Sequence, residues 1–194
     1  AVISQLEERT KEPDERENTL IRGRTMFNVA TEIGRLLRST IEDAQRSNGE
    51  AGKGRFTASL LLARPIKGMQ PRLFLIYPEG NFIEASWDTP FFQIGETKYG
   101  RPILIRGYGR DMRFEDAVKL LMVSFDSTIK ANLSVGLPLD LLVIGKDDFA
   151  PLHEHRVTAN DPYFETISSS WGASLRSALD ALPSYSFDSP GGSG

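Results

Sequence analysis

His153-Glu154-His155 places two imidazoles at i and i+2, on one face of any strand that carries them, as a two-ligand metal site would require. No HExxH and no third ligand lies nearby in sequence, and a surface segment is the competing reading. A second candidate is Gly49 to Gly54 (GEAGKG). Its three glycines suggest a phosphate-cradling loop, but no GK[ST] follows, so the segment reads as a linker. The third is the cluster Gly95-Glu96-Thr97-Lys98-Tyr99-Gly100, which offers a carboxylate, a hydroxyl, an ammonium and a phenol between two glycines. There the glycines shape a strand-to-helix turn, with Glu96 as its cap. Asn132 and Ser134 hold a helix-to-strand loop, a place where both types often end helices through side-chain hydrogen bonds to the backbone. Trp87 and Tyr99 suit either a peptide cleft or packing in a core or interface.

Composition narrows the chemistry. The 194 residues carry a net charge of −3 with no basic block, which argues against nucleic acid as a partner. Cysteine is missing, so disulfides, thiolate metal sites and a cysteine nucleophile are excluded; a reducing, cytoplasmic compartment fits. No apolar run spans a membrane, and Ala1-Val2-Ile3-Ser4 does not begin a signal peptide. Nothing in the sequence asks for a cofactor.

Several elements must position these residues. Val2, Ile3 and Leu6 share a helical face over residues 1–11, and Arg9 to Arg24 is a solvated connection. Met26, Val29, Ala30, Ile33, Leu37 and Ile41 predict a long helix with Thr25 as N-cap and a stop at Asn48-Gly49. Strands are expected over 57–66, 72–77 and 82–86, joined by turns at 67–70 and 78–81. A short helix over 102–108 precedes a longer one with Asp111 at its cap and Glu115 and Asp116 in its first turn. Phe114, Ala117, Val118, Leu121, Phe125 and Ile129 form the apolar stripe of that longer helix, widened by Leu120 and Met122. A strand over 139–144, a turn at 145–148 and a last helix from Phe164 to Leu182 complete a domain over 1–183. Residues 184–194 read as a flexible Gly/Ser tail or linker. Helices and strands come in blocks, which predicts an α+β layered fold.

This order resembles proteasome-type N-terminal nucleophile hydrolases without their first strands. Within Met112 to Ile144, a helix with an acidic start leads to Asn132-Leu-Ser-Val-Gly and then Leu139-Asp-Leu-Leu-Val-Ile. Proteasome β subunits have Asp-x-x-Ser-Gly in that loop. Asn132 stands in place of the Asp and Val135 in place of the Ser, while Gly136 and Asp140 agree. The stretches Leu73 to Ala85 and Gln93 to Leu104 look like the bacterial proteasome-related Anbu family.

The resemblance implies a four-layer αββα sandwich with two antiparallel sheets, assembled as a homo-oligomer in which the last helix and the Trp171 region offer contacts. It also implies a threonine peptidase acting on peptide substrates, with an N-terminal Thr hydroxyl as nucleophile and its own α-amine as base. In that family Thr, Asp and Lys lie on the first strands. This sequence begins at Ala1, which has no hydroxyl, so the nucleophile is expected on a segment or companion chain that starts with Thr. Three accounts stand: a preceding segment, one half of a split or permuted chain with Gly192-Ser193-Gly194 as linker remnant, or a noncatalytic scaffold subunit like the proteasome α subunits. The resemblance makes Asn132, Ser134 and Glu96 supporting residues and places Thr97 and Tyr99 beside the substrate cleft.

Overall fold

The computed structural model describes residues 25–47, 56–64, 70–146 and 150–187. The expected helix over 1–11, the connection after it, the stop at Asn48-Gly49, the glycine-rich 49–54 segment and most of the tail lie outside the described residues, as does most of the 67–70 turn. The chain divides into two compact units. The first comprises residues 1–95 and 144–152, the second 96–143 and 153–194.

The first unit is a helix on a meander. Helix α1 (Met26–Ser47) starts where Thr25 predicts it, with the Asn28 N–H donating to Thr25 Oγ1 at 3.3 Å. Strands β1 (Leu60–Arg64), β2 (Arg72–Ile76) and β3 (Phe82–Glu84) pair antiparallel in chain order. Alternation along β2 sends Phe74 and Ile76 toward α1, where both are 0% exposed. Val29, Ile33 and Leu37 close over Ile76, and Met26 and Ala30 over Phe74. At the end of that face the Arg72 guanidinium lies over the Phe74 ring and pairs with Glu84 on β3.

The turn at 78–81 forms as expected. Tyr77 donates its N–H to the Asn81 carbonyl at 2.9 Å, and Gly80 takes φ 87°, which a side chain disfavours. This turn touches α1 backbone to backbone: a Cβ on Gly34 would sit 2.1 Å from the Gly80 carbonyl oxygen. Two glycines therefore set the spacing of helix and turn. Leu61, Leu73, Leu75 and Ile83 occupy the other face of the sheet. An apolar second face is what an inner layer of a sandwich requires.

The second unit holds helices α2 (Arg101–Gly107), α3 (Phe114–Ala131) and α4 (Pro162–Asp180), with most of β4 (Leu139–Ile144) beside most of β5 (Pro151–Val157). Residues 145–150 join the two strands, too short a link for a parallel crossover, so they run antiparallel. Met122, Val157 and Phe164 form its core, packed by Val118, Ile129, Leu139 and Leu141. Gly100 and Gly107, two helical turns apart, bring α2 close to α3. A Cβ would meet Ser124 Oγ at 2.3 Å in the first case and Leu120 Cδ1 at 2.5 Å in the second.

Two expectations are corrected here, and one strand is new. Asp111 does not cap α3: it lies in a turn closed by the Met112 N–H on the Gly109 carbonyl, and the helix starts after Arg113 with no side-chain cap. The α3 stripe is only partly inward, since Phe114, Leu121 and Phe125 are exposed while Ser124, Asp126 and Thr128 are buried. Small polar side chains fill the narrow contact with α2. The strand β5 is not foreseen by hydropathy, because its side chains are exposed up to Val157 and leave no apolar alternation.

Candidate functional site

The turn before α2 and the loop after α3 meet in the second unit. Gly95 takes φ 79° with open space about it. It turns the chain into Glu96, whose Oε1 accepts the Lys98 N–H at 2.8 Å. The Thr97 carbonyl then accepts the Arg101 N–H, and the short helix begins. Asn132 is the C-cap of α3, its N–H donating to the Thr128 carbonyl. Its side chain works in two directions. Nδ2 donates to Glu96 Oε2 at 2.9 Å, and Oδ1 accepts both the Ser134 N–H at 2.8 Å and the Ser134 hydroxyl at 2.7 Å.

Glu96, Asn132 and Ser134, singled out separately in the sequence, are thus one hydrogen-bonded chain. The turn-cap reading of Glu96 is seen directly: one carboxylate oxygen holds the turn and the other receives Asn132. Asn132 ends α3, as the helix-termination reading expects, and also joins Glu96 to Ser134. The Lys98 N–H, reinforced by the Asn132 amide and the Lys98 ammonium, holds the Glu96 carboxyl below its usual range against an opposing desolvation effect. Glu96 and Asn132 are half-buried, while Ser134 is exposed and Leu133 between them is 106% exposed.

Thr97 is half-buried in the turn and Tyr99 is exposed beside it. Tyr99 and Trp87 are not core residues; Trp87, in the first unit, is 75% exposed. Asp140 forms a cross-strand ion pair with Arg156 at 2.8 Å and takes no part in the Asn132 network.

His153 and His155 share one face of β5, with ring centroids 6.1 Å apart. His155 Nε2 lies 2.6 Å from Asp161 Oδ2, while Asp161 Oδ1 accepts the Phe164 N–H as the N-cap of α4. The Phe164 N–H and then His155 hold the Asp161 carboxyl below its ordinary range. His155 is thus tied to the cap of a helix. Among the described residues no group of three or more His, Cys, Asp or Glu side chains is placed to hold a metal.

Two features had no sequence signal. Asp126, 3% exposed, receives Lys130 Nζ at 2.9 Å, and the same ammonium reaches Ser168 Oγ on α4 at 2.9 Å. A groove of about 540 Å³ opens beside this bridge, between Lys130, Leu137, Phe164, Ser168, Gly172 and Arg176. Glu96, Thr97, Tyr99, Asn132 and Ser134 do not line it. The buried Trp171 indole N–H on α4 has no partner among the described residues.

The chain belongs to the proteasome subunit family, whose model matches residues 17–144. Within that family it is of the Anbu type. It is 43% identical to Anbu from Hyphomicrobium sp. strain MC1, with a TM-score of 0.82 over 96% of this chain and 76% of that one. Anbu (ancestral beta-subunit) from Yersinia bercovieri is 40% identical, with the same TM-score and coverage. The helical assembly of the Anbu complex from Pseudomonas aeruginosa is 39% identical, with a TM-score of 0.84 over 97% of this chain and 76% of that one. No match was found among curated proteins. The expected α+β, proteasome-like fold is therefore the fold of this chain. No helix among the described residues is long and apolar enough to cross a membrane.

Proposed function

We propose that the chain is the body of a threonine peptidase subunit that hydrolyses peptide bonds, with the nucleophilic Thr at the N-terminus of a segment or companion chain outside this sequence. The carrying observation is the Glu96–Asn132–Ser134 network at the end of α3, in the loop that resembles the proteasome Asp-x-x-Ser-Gly. The Thr hydroxyl attacks the scissile carbonyl carbon. Its proton passes to the α-amine and on to the leaving amine, and water then hydrolyses the ester. Ser134 offers a hydroxyl to the amine, and Thr97 and Tyr99 border the cleft. The two units together form one proteasome-like domain over 1–183, in a cytoplasmic protein.

Self-association follows the related Anbu assemblies. Exposed Phe114, Leu121 and Phe125 on α3, and Leu175, Leu179 and Leu182 at the end of the chain's last helical region, offer apolar contact surface. The second reading is a scaffold subunit without catalysis.

Treating the full-length protein with an epoxyketone separates the two. A covalent adduct on an N-terminal Thr, lost on Thr→Ala, is expected. Labelling that survives Thr→Ala sinks the mechanism, and no adduct at all leaves the scaffold.

A further inference from the structure

We infer that Glu96 carries the carboxylate of this site and acts through Asn132, so that the negative charge lies one hydrogen bond further from Ser134 than an Asp at position 132 would put it. The inference rests on the peptidase reading and deepens it. An Asn side chain has one donor end and one acceptor end. Here each end meets a partner that accepts only one of them. Reversed, Oδ1 would face the Glu96 carboxylate, and Nδ2 would face the Ser134 N–H. Glu96 is itself held by the Lys98 N–H on its other oxygen. Among the charged groups nearby, Lys98 acts on Glu96 from the same turn, while Asp126 and Lys130 on α3 pair with each other.

Two consequences follow. A carboxylate at position 132 conflicts with an ionised Glu96, because two carboxylate oxygens at hydrogen-bond distance must share a proton. The departure from the Asp of the β-subunit loop and the presence of Glu96 are therefore one matched exchange. Further, the Ser134 hydroxyl proton is committed to Asn132 Oδ1. Ser134 Oγ then presents only lone pairs outward, as an acceptor for an N–H or ammonium group. Glu96 is a positioning residue: it fixes the Asn132 amide, and the amide fixes the Ser134 proton.

The test uses the full-length protein, epoxyketone labelling rate against pH, and thermal melting. Glu96→Gln lets the Asn132 amide turn either way. It is expected to lower the saturating labelling rate about tenfold, the effect of one strong hydrogen bond, with little change in half-saturating probe concentration. Asn132→Asp is expected to lose more at neutral pH, to recover toward acid pH where the pair shares a proton, and to melt lower. The double variant Glu96→Gln, Asn132→Asp restores a donor facing an acceptor, so it should label faster and melt higher than Asn132→Asp alone. Equal behaviour of Asn132→Asp with and without Glu96→Gln overturns the inference. If the unaltered protein is never labelled, the peptidase reading and the positioning role both fall; rescue of melting in the double variant then leaves the pair as a structural one.

Discussion

The two units are built from different materials. Around α1 and its meander every buried side chain among the described residues is apolar, from Met26 and Val29 to Phe74 and Ile76. Around α3, Ser124, Asp126, Thr128 and Asp161 are buried as well, each with a hydrogen bond or ion pair or packed against a glycine. Buried polar groups gain little net stability and cost a great deal when unpaired. A unit that retains them in numbers spends stability on position. The second unit is also the one that holds the Glu96–Asn132–Ser134 network, while the first is built as an apolar frame.

The sharpest way to break the frame is to hollow it. Phe74→Ala removes a fully buried ring between α1 and Phe82 and should cost about 3–5 kcal/mol by denaturant unfolding. Next comes backbone spacing. Gly34→Ala drives a methyl into the Gly80 carbonyl and should cost about 1–3 kcal/mol or more. Gly172→Ala, on α4, meets among the described residues only the Arg176 guanidinium at 3.8 Å and should stabilise by about 0.5–1 kcal/mol through helix propensity. Opposite signs for two helical glycines separate close packing from open surface.

A smaller effect belongs to the polar unit. Asp161 has a depressed carboxyl pKa in the folded state, so its contribution is present above the ordinary Asp range near 4 and is lost as pH falls through the lower folded value. Asp161→Asn should therefore lower the melting temperature at neutral pH, by less than Gly34→Ala does, and flatten the decline of melting temperature below pH 4. The smallest effect is expected at Leu133, whose side chain is fully exposed. Leu133→Ser should change stability by less than about 0.5 kcal/mol.

Much of the frame can be read from residue types, because its signals are local. Periodicity at three and four residues marks α1, Thr25 marks its start, and Pro78-Glu79-Gly80-Asn81 marks the turn. The polar unit is less legible. Asn132 and Glu96 are far apart in the chain, and each has an adequate local role as terminator or cap, so only folding shows that they meet. Asp111 looks like a cap by type, but Gly109 starts a turn that takes the chain past it. The exposed β5 lacks the apolar alternation on which strand recognition depends, although its two histidines at i and i+2 hinted at the shared face.

The site network also has a property of use at the bench. It ends on two backbone amides, Lys98 N–H on Glu96 and Ser134 N–H on Asn132, each held by a side chain and not by a helix or sheet ladder. Their hydrogen exchange depends on the network itself. In a deuterium-exchange measurement, Glu96→Gln should accelerate both while leaving the α1 amides unchanged. Two hydrogens can thus serve as a clock for the integrity of the site, readable with no substrate present.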